Sequence, residues 1–279
     1  MSDLAEVRIL VTGSTDGLGK RVAIELAGRG ATVLLHGRNL ERCEAALEEI
    51  RRKTSSEKSR YYLADLSSLG AVRGLSERVL SEHDLLDVLI NNAGIIAQKR
   101  TETEDGYEAT LAVNYLAHFL LTNLLLPLLR NSAPARVVNV ASAGQSPIDF
   151  RDVMLQQGYD GMRAYSQSKL AQVMFTFELA RRLQEAGVTA NALHPATLMN
   201  TKMVLNTFGH ATSTVQEGAE ATVRLAVSPE LNGVTGRYFE GRREARANRQ
   251  AYDEEASKWL WTLSEELCGR FLEPLAGRQ

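Results

Sequence analysis

Cysteine is nearly absent from this 279-residue chain: Cys43 and Cys268 stand alone. Two isolated thiols provide neither a disulfide framework nor a zinc site, so a reducing, cytoplasmic setting is expected. An excess of charge of one sign is also missing. The 32 basic and 34 acidic residues leave a net charge of −2, which argues against nucleic acid or an anionic membrane surface as a partner. There is no fixed-period repeat, low-complexity tract or Pro/Gly-rich linker, so one domain spanning 1–279 is expected. The stretch Met1 to Glu6 has neither a basic n-region nor an apolar h-region, and no secretory signal is predicted. The most apolar stretch, Leu111 to Leu129, is interrupted by Asn114, His118, Asn123 and Pro127. It reads as a buried helix and not as a membrane span.

What is present is ordinary globular composition, 44% hydrophobic and 24% charged, arranged as an alternation of strands and helices. Strands are predicted at Val7 to Thr12, Thr32 to His36, Tyr61 to Ala64, Leu86 to Ile90, Arg136 to Val140 and Val188 to Leu193, with a last one near Tyr238 and Phe239. Helices fall between them: Leu18 to Ala27, Asn39 (as N-cap) to about Lys53, Ser67 to His83, Leu111 to Leu129 and Gly161 to Glu185. Thr214 and Glu217 have the form of a capping box, and an amphipathic helical extension is expected over 253–268. Strands apolar on both faces call for a parallel sheet covered on both sides. The predicted fold is therefore α/β, a single-domain Rossmann-type doubly wound sheet. Thr197 to Ser213 has weak periodicity and reads either as a substrate lid or as an ordinary surface loop.

The chemistry concentrates at three places. Tyr165 and Lys169, four residues apart on a predicted helix, share one face. A phenol beside an ammonium has a lowered pKa and suits acid–base work on an oxygen, although such a pair also occurs as two exposed helix residues. The turn after the first strand, Thr12-Gly13-Ser14-Thr15-Asp16-Gly17-Leu18-Gly19, carries glycines where a backbone must approach a pyrophosphate and where a helix N-terminus faces the anion. At the end of the second strand, His36-Gly37-Arg38 offers an arginine in place of the carboxylate that would hold a ribose 2′-hydroxyl. Arg38 suits a 2′-phosphate, so NADP(H) is favoured with NAD(H) as the second option; a solvated loop arginine is the competing reading.

Thr12-Gly13-x-x-x-Gly17-x-Gly19, Asn91-Asn92-Ala93-Gly94, Asn114, Ser142 and Tyr165-x-x-x-Lys169 occur in order and resemble the motif set of the short-chain dehydrogenase/reductase family, from about Val7 to Thr201. The later residues Gly233 to Phe239 and Leu260 to Ser264 are similar to its retinol dehydrogenase and WW-domain oxidoreductase branch. The resemblance implies that Tyr165 is the general acid or base, that Lys169 lowers its pKa and bonds the nicotinamide ribose, that Ser142 holds the substrate oxygen and that Asn114 supports a proton relay. It implies cofactor contacts from Gly13, Ser14, Thr15, Asp16, Gly17, Leu18, Gly19 and Arg38, from Asp65 and Leu66 at the adenine, from Asn92, Ala93 and Gly94, and from Pro195, Thr197 and Thr201 at the nicotinamide. Asp65 also has the look of a helix N-cap. Ala196 departs from the branch, where glycine is common. His194 has no ligand-spaced companions and reads as structural, with no metal site.

The implied function is an NADP(H)-dependent oxidoreductase acting on a small carbonyl or alcohol substrate, with a homodimer or homotetramer expected from the family. The apolar residues Leu198, Met199, Met203, Val204, Leu205 and Phe208 suggest an apolar substrate. A non-catalytic NADP(H)-binding sensor or scaffold, and an internal-redox epimerase or dehydratase, are the alternatives on the same fold.

Overall fold

Short runs of branched and leucine side chains form the sheet of the computed structural model, which describes residues 4–273. Part of the N-terminal stretch read for a signal, Met1 to Asp3, lies outside them, as do residues 274–279. In chain order the elements are β1 (Arg8–Val11), α1 (Gly17–Gly28), β2 (Thr32–Gly37), α2 (Leu40–Thr54), β3 (Arg60–Leu63), α3 (Leu69–Glu82), β4 (Val88–Asn91), α4 (Ala109–Leu111), α5 (Ala117–Asn131), β5 (Ala135–Val140), α6 (Gly161–Arg182), β6 (Val188–His194), α7 (Lys202–Phe208), α8 (Val215–Val227), β7 (Tyr238–Glu240), β8 (Arg243–Glu244) and α9 (Glu254–Leu272).

Among the described residues the sheet order is β3-β2-β1-β4-β5-β6-β7-β8, parallel except for β8, which runs antiparallel to β7. Leu10 of β1 lies opposite both Leu34 of β2 and Leu89 of β4, and all three are fully buried. One face packs against α1, α2 and α8, the other against α3, α5, α6 and α9. The chain leaves β1 toward β2 on one side and returns to β4 on the other. That reversal opens a crevice at the carboxyl ends of β1 and β4, where ligands bind in sheets of this kind.

The expectation of one apolar helix at Leu111 to Leu129 is met with a difference. The stretch Ala109–Asn131 is long and apolar enough to cross a membrane, yet 83% of its most apolar window is buried inside the fold, so it serves as a core helix here. It is interrupted by a π-helical turn, Ala112–Leu116, that contains Asn114. A π turn leaves no periodicity signal of its own. The segment read as a lid or loop contains a helix, α7, capped by Thr201 and ended by Gly209 at φ +75°. β8 was not anticipated either: it is two exposed charged residues with no apolar alternation. The capping box at Thr214 and Glu217 is formed at the start of α8.

Candidate active site

The first strand-to-helix turn is fastened from below. Gly13 and Gly17 adopt φ +63° and +52°, where side chains are disfavoured. The Gly13 N–H donates to His36 Nδ1 at 3.1 Å and the Ser14 N–H to the His36 carbonyl at 2.9 Å. Thr12 Oγ1 accepts the N–H groups of Asn92 and Ala93 at 2.8 and 3.0 Å. Asn92 Nδ2 donates back to the carbonyls of Thr12 and Gly13. The ends of β1 and β4 are thereby stitched together.

The missing side chains of the glycines have different occupants. A Cβ on Gly13 would meet Ala93, and one on Gly19 would overlap the Gly13 carbonyl and Asn92 Nδ2, whereas one on Gly17 would meet only Thr201, at 3.4 Å. Gly13 and Gly19 thus serve strand–helix packing, and Gly17 faces the crevice. Asp16 caps α1 through the Gly17 N–H at 2.8 Å. The next amides, Leu18 and Gly19, lie in the first turn, where no intrahelical acceptor exists. They leave a positive helix terminus at the crevice.

Arg38 follows β2 with its side chain 74% exposed, 3.7 Å from Asp65. The Asp65 carboxylate accepts the N–H and hydroxyl of Ser67 at 2.9 and 2.8 Å. α3 is capped by Ser68, which accepts the Ala71 N–H, so Asp65 is not the N-cap of that helix. Leu66 beside it is buried.

Tyr165 and Lys169 occupy successive turns of α6, whose N-terminus is capped by Asp160. Lys169 Nζ donates to the Val140 carbonyl of β5 and to Gln172 Oε1, both at 2.8 Å, and lies 5.7 Å from the Tyr165 ring centroid. Burial without a counter-ion pulls the Lys169 ammonium down to about 7. Burial pushes the Tyr165 phenol up, opposed by a bond from the Ser142 hydroxyl. The expected lowering of Tyr165 by Lys169 is therefore not found in this geometry, because the ammonium is turned toward Val140 and Gln172.

Ser142 follows β5; its hydroxyl accepts the Gly144 N–H at 3.0 Å, and its carbonyl accepts Tyr238 Oη at 3.1 Å. Asn114 is fully buried. It accepts the Ile95 N–H at 2.8 Å and donates to the Ile95 carbonyl and Ser168 Oγ at 3.0 and 2.9 Å. A Cβ on Gly94 would meet Asn114 Oδ1 at 3.3 Å and Lys169 Nζ at 3.6 Å. The structure thus brings Asn114, Ser142, Tyr165, Lys169 and Gly94 to one place.

After β6, Pro195 is buried, and His194 Nε2 lies 3.0 Å from Thr197 Oγ1. Thr201 Oγ1 accepts the Val204 N–H at 3.2 Å as the cap of α7, which places its methyl against Gly17. Sequence reasoning missed Thr12 as the stitch between strands, His36 beneath the turn, and His118, Ser168 and Gln172 behind Lys169. The signal for His118 and Gln172 was present as polar residues in otherwise apolar helical stretches, whereas Ser168 stands among polar neighbours.

Residues 7–211 match the family model of the short chain dehydrogenases. The chain belongs to that family. This short-chain dehydrogenase is 42% identical to mouse (Mus musculus) retinol dehydrogenase 13, over 94% of this chain and 83% of the relative. It is 38% identical to human (Homo sapiens) retinol dehydrogenase 12, over 94% and 86%. Among solved structures it resembles a protein from Mycobacterium paratuberculosis (TM-score 0.80, 33% identity, 96% of each chain). It also resembles a short chain dehydrogenase from Shigella flexneri complexed with NADP (TM-score 0.72, 26% identity, 87% of this chain and 100% of that one). The short-chain dehydrogenase is thus an oxidoreductase of alcohol and carbonyl groups that works with a nicotinamide dinucleotide. Its own residues fit such a group: a helix N-terminus whose Leu18 and Gly19 amides lack intrahelical acceptors for the pyrophosphate, an exposed guanidinium beyond β2 and a buried ammonium beside the phenol.

Proposed function

We propose that this protein is an NADP(H)-dependent reductase or dehydrogenase of a small, apolar carbonyl or alcohol compound. The observation that carries this reading is the convergence of Ser142, Tyr165 and Lys169 at the carboxyl end of β5, with an exposed Arg38 following β2. When bound, the cofactor supplies or accepts the hydride. The protein handles the oxygen. The Ser142 hydroxyl orients and bonds the substrate oxygen, and the Tyr165 phenol donates its proton as negative charge develops there. Lys169, near neutrality, returns a proton to the phenolate side of the site. In alcohol oxidation the same groups act in reverse.

Arg38 supports the choice of NADP(H). It is exposed and bound only loosely by Asp65, so a 2′-phosphate can engage it by charge-assisted bonds. Support for an apolar substrate comes from α7, which has no buried residue and presents Leu205 and Phe208 at 45% and 38% exposure. Retinoids enter the substrate panel through the retinol dehydrogenase relatives.

The test is loss of nicotinamide absorbance with NADPH and, in parallel, NADH across ketones, aldehydes (retinaldehyde among them) and quinones. NADPH-preferring turnover that falls about 10²–10⁴-fold in Tyr165→Phe is expected. Turnover that survives Tyr165→Phe unchanged would remove this assignment.

A further inference from the structure

Behind Lys169 lies a buried chain of polar side chains that the proton transfer described above does not use. Lys169 Nζ is 2.8 Å from Gln172 Oε1, Gln172 Nε2 is 3.1 Å from His118 Nδ1, and His118 Nε2 is 3.3 Å from Thr12 Oγ1. Gln172, His118 and Thr12 are fully buried. Thr12 is the residue whose hydroxyl holds the Asn92 and Ala93 amides under the glycine turn. The chain therefore runs from the ammonium at one end of the site to the dinucleotide cradle at the other.

Its donors and acceptors cannot all be satisfied in one state. A charged Lys169 only donates, so Gln172 must present its oxygen to the ammonium and its NH₂ group to His118. His118 Nδ1 must then be bare, with the ring proton on Nε2 facing Thr12. That arrangement sets the bare Nδ1 against the Asn114 carbonyl, also 3.0 Å away, and the Nε2–H against a Thr12 hydroxyl whose two lone pairs already take the Asn92 and Ala93 amides. A proton on Nδ1 would satisfy that carbonyl and let the Thr12 hydroxyl donate to Nε2, but it would face the hydrogens of Gln172. The conflict disappears when Lys169 is neutral. The amide then turns over, its NH₂ donates to the Lys169 lone pair and its oxygen accepts Nδ1–H. Burial holds His118 down to about 3, so the ring stays neutral throughout and only its tautomer changes.

We propose that Gln172 is a positioning residue that ties the charge of Lys169 to the tautomer of His118, and through it to Thr12 beneath the cofactor turn. On loss of the Lys169 proton to solvent by way of the Tyr165 side, the His118 ring releases its Nε2 proton to water and takes one from water at Nδ1 during local opening of the fold, with no net change on the ring. The titratable groups around the pair are Tyr165 on α6, His118 on α5 and, at greater range, His36 on β2. Among the described residues the hydrogen-bond acceptors of Lys169 are the Val140 carbonyl and Gln172, and no carboxylate bonds it.

This inference rests on the oxidoreductase reading for its purpose, but its test needs no turnover. The measurement is ¹⁵N NMR of the full-length protein labelled at lysine Nζ and at the histidine ring, followed through pH without substrate. In the native protein the His118 ring nitrogens are expected to exchange character, Nδ1 gaining the proton, with the same midpoint as Lys169. Gln172→Met should lower the Lys169 midpoint and leave His118 in the Nδ1–H form at every pH. Gln172→Glu should raise that midpoint by about 1–3 units through a direct ion pair. His118 signals that stay constant across the Lys169 titration of the native protein, or a Lys169 midpoint unmoved in both variants, would overturn the proposal. The native titration decides even where a variant does not fold. Failure of the oxidoreductase reading would appear separately, as a native protein that titrates as described yet turns over no carbonyl.

Discussion

Lys202, the first residue of α7, places its ammonium 2.7 Å from the Asp16 carboxylate that caps α1. The bridge ties the segment after β6 to the glycine turn across the mouth of the crevice. It holds the Asp16 carboxyl below its usual range, the Lys202 bond being the main cause. Both side chains are well exposed, 76% and 45%, so its worth to stability is small, about 0–1 kcal/mol. Its position gives it a part in retaining whatever lies beneath it.

Lys202→Ala should therefore release NADPH several-fold faster while shifting unfolding free energy by less than about 0.5 kcal/mol. Stopped-flow fluorescence of the bound dihydronicotinamide, together with a denaturant titration, measures both quantities. An unchanged dissociation rate would mean that α7 does not latch the site.

Arg38→Ala tests the cofactor choice from the other end of the dinucleotide. A hydrogen bond to a charged group contributes about 1.5–3 kcal/mol, so kcat/KM for NADPH should fall roughly 10–150-fold. The value for NADH should change little, since a bare ribose leaves Arg38 without a charged partner. Equal losses with both cofactors would assign Arg38 a general role at the rim and none in selecting the 2′-phosphate.

The strands were legible in the sequence because residues buried on both sheet faces must be apolar in unbroken runs, as Ile9 to Val11 and Val33 to Leu35 are. Tyr165 and Lys169 were legible because a helix fixes their separation. The direction in which Lys169 points was not. It depends on the Val140 carbonyl at the end of β5 and on Gln172 one turn further along α6, a tertiary meeting that spacing alone does not reveal. The surroundings of Asn114 in the π turn were hidden for a similar reason, since its side chain is held by Ile95 and Ser168 from distant parts of the chain. α7 escaped because a seven-residue helix with no buried face has no apolar stripe to detect.

Gly19→Ala separates the glycines that pack from those that face the crevice. Its Cβ would be driven into the Gly13 carbonyl, which is backbone, and Asn92 Nδ2, a side-chain end pinned by its bonds to the Thr12 and Gly13 carbonyls. Overpacking of this kind costs about 1–3 kcal/mol and displaces the α1 terminus from the turn. Both a lower unfolding midpoint and weaker NADPH binding are expected, readable by denaturant titration and fluorescence quenching. A variant with native stability and native affinity would show that α1 can retreat without consequence.

His36 links the glycine turn to pH. Its Nδ1 accepts the Gly13 N–H, and its Nε2 donates to the Ala64 carbonyl at 3.1 Å, so the ring is required neutral. Burial pulls it down to about 4 from an ordinary value of 6.5. The unfolded chain therefore takes up a proton that the folded chain refuses between pH 6.5 and pH 4. Stability must fall as pH drops through that window, by roughly 3 kcal/mol for this residue once pH is below both values. His118, held down to about 3, acts in the same direction, as do carboxylates, so only a comparison isolates His36. Gln in its place can still accept from Gly13 and donate to Ala64 but does not titrate. Denaturant unfolding of the native protein and of His36→Gln at intervals from pH 7 to pH 4 should give curves that converge as pH falls, with the variant losing less. Parallel curves would show that the turn tolerates a protonated His36, and the Gly13 bond would then have to be made by another acceptor.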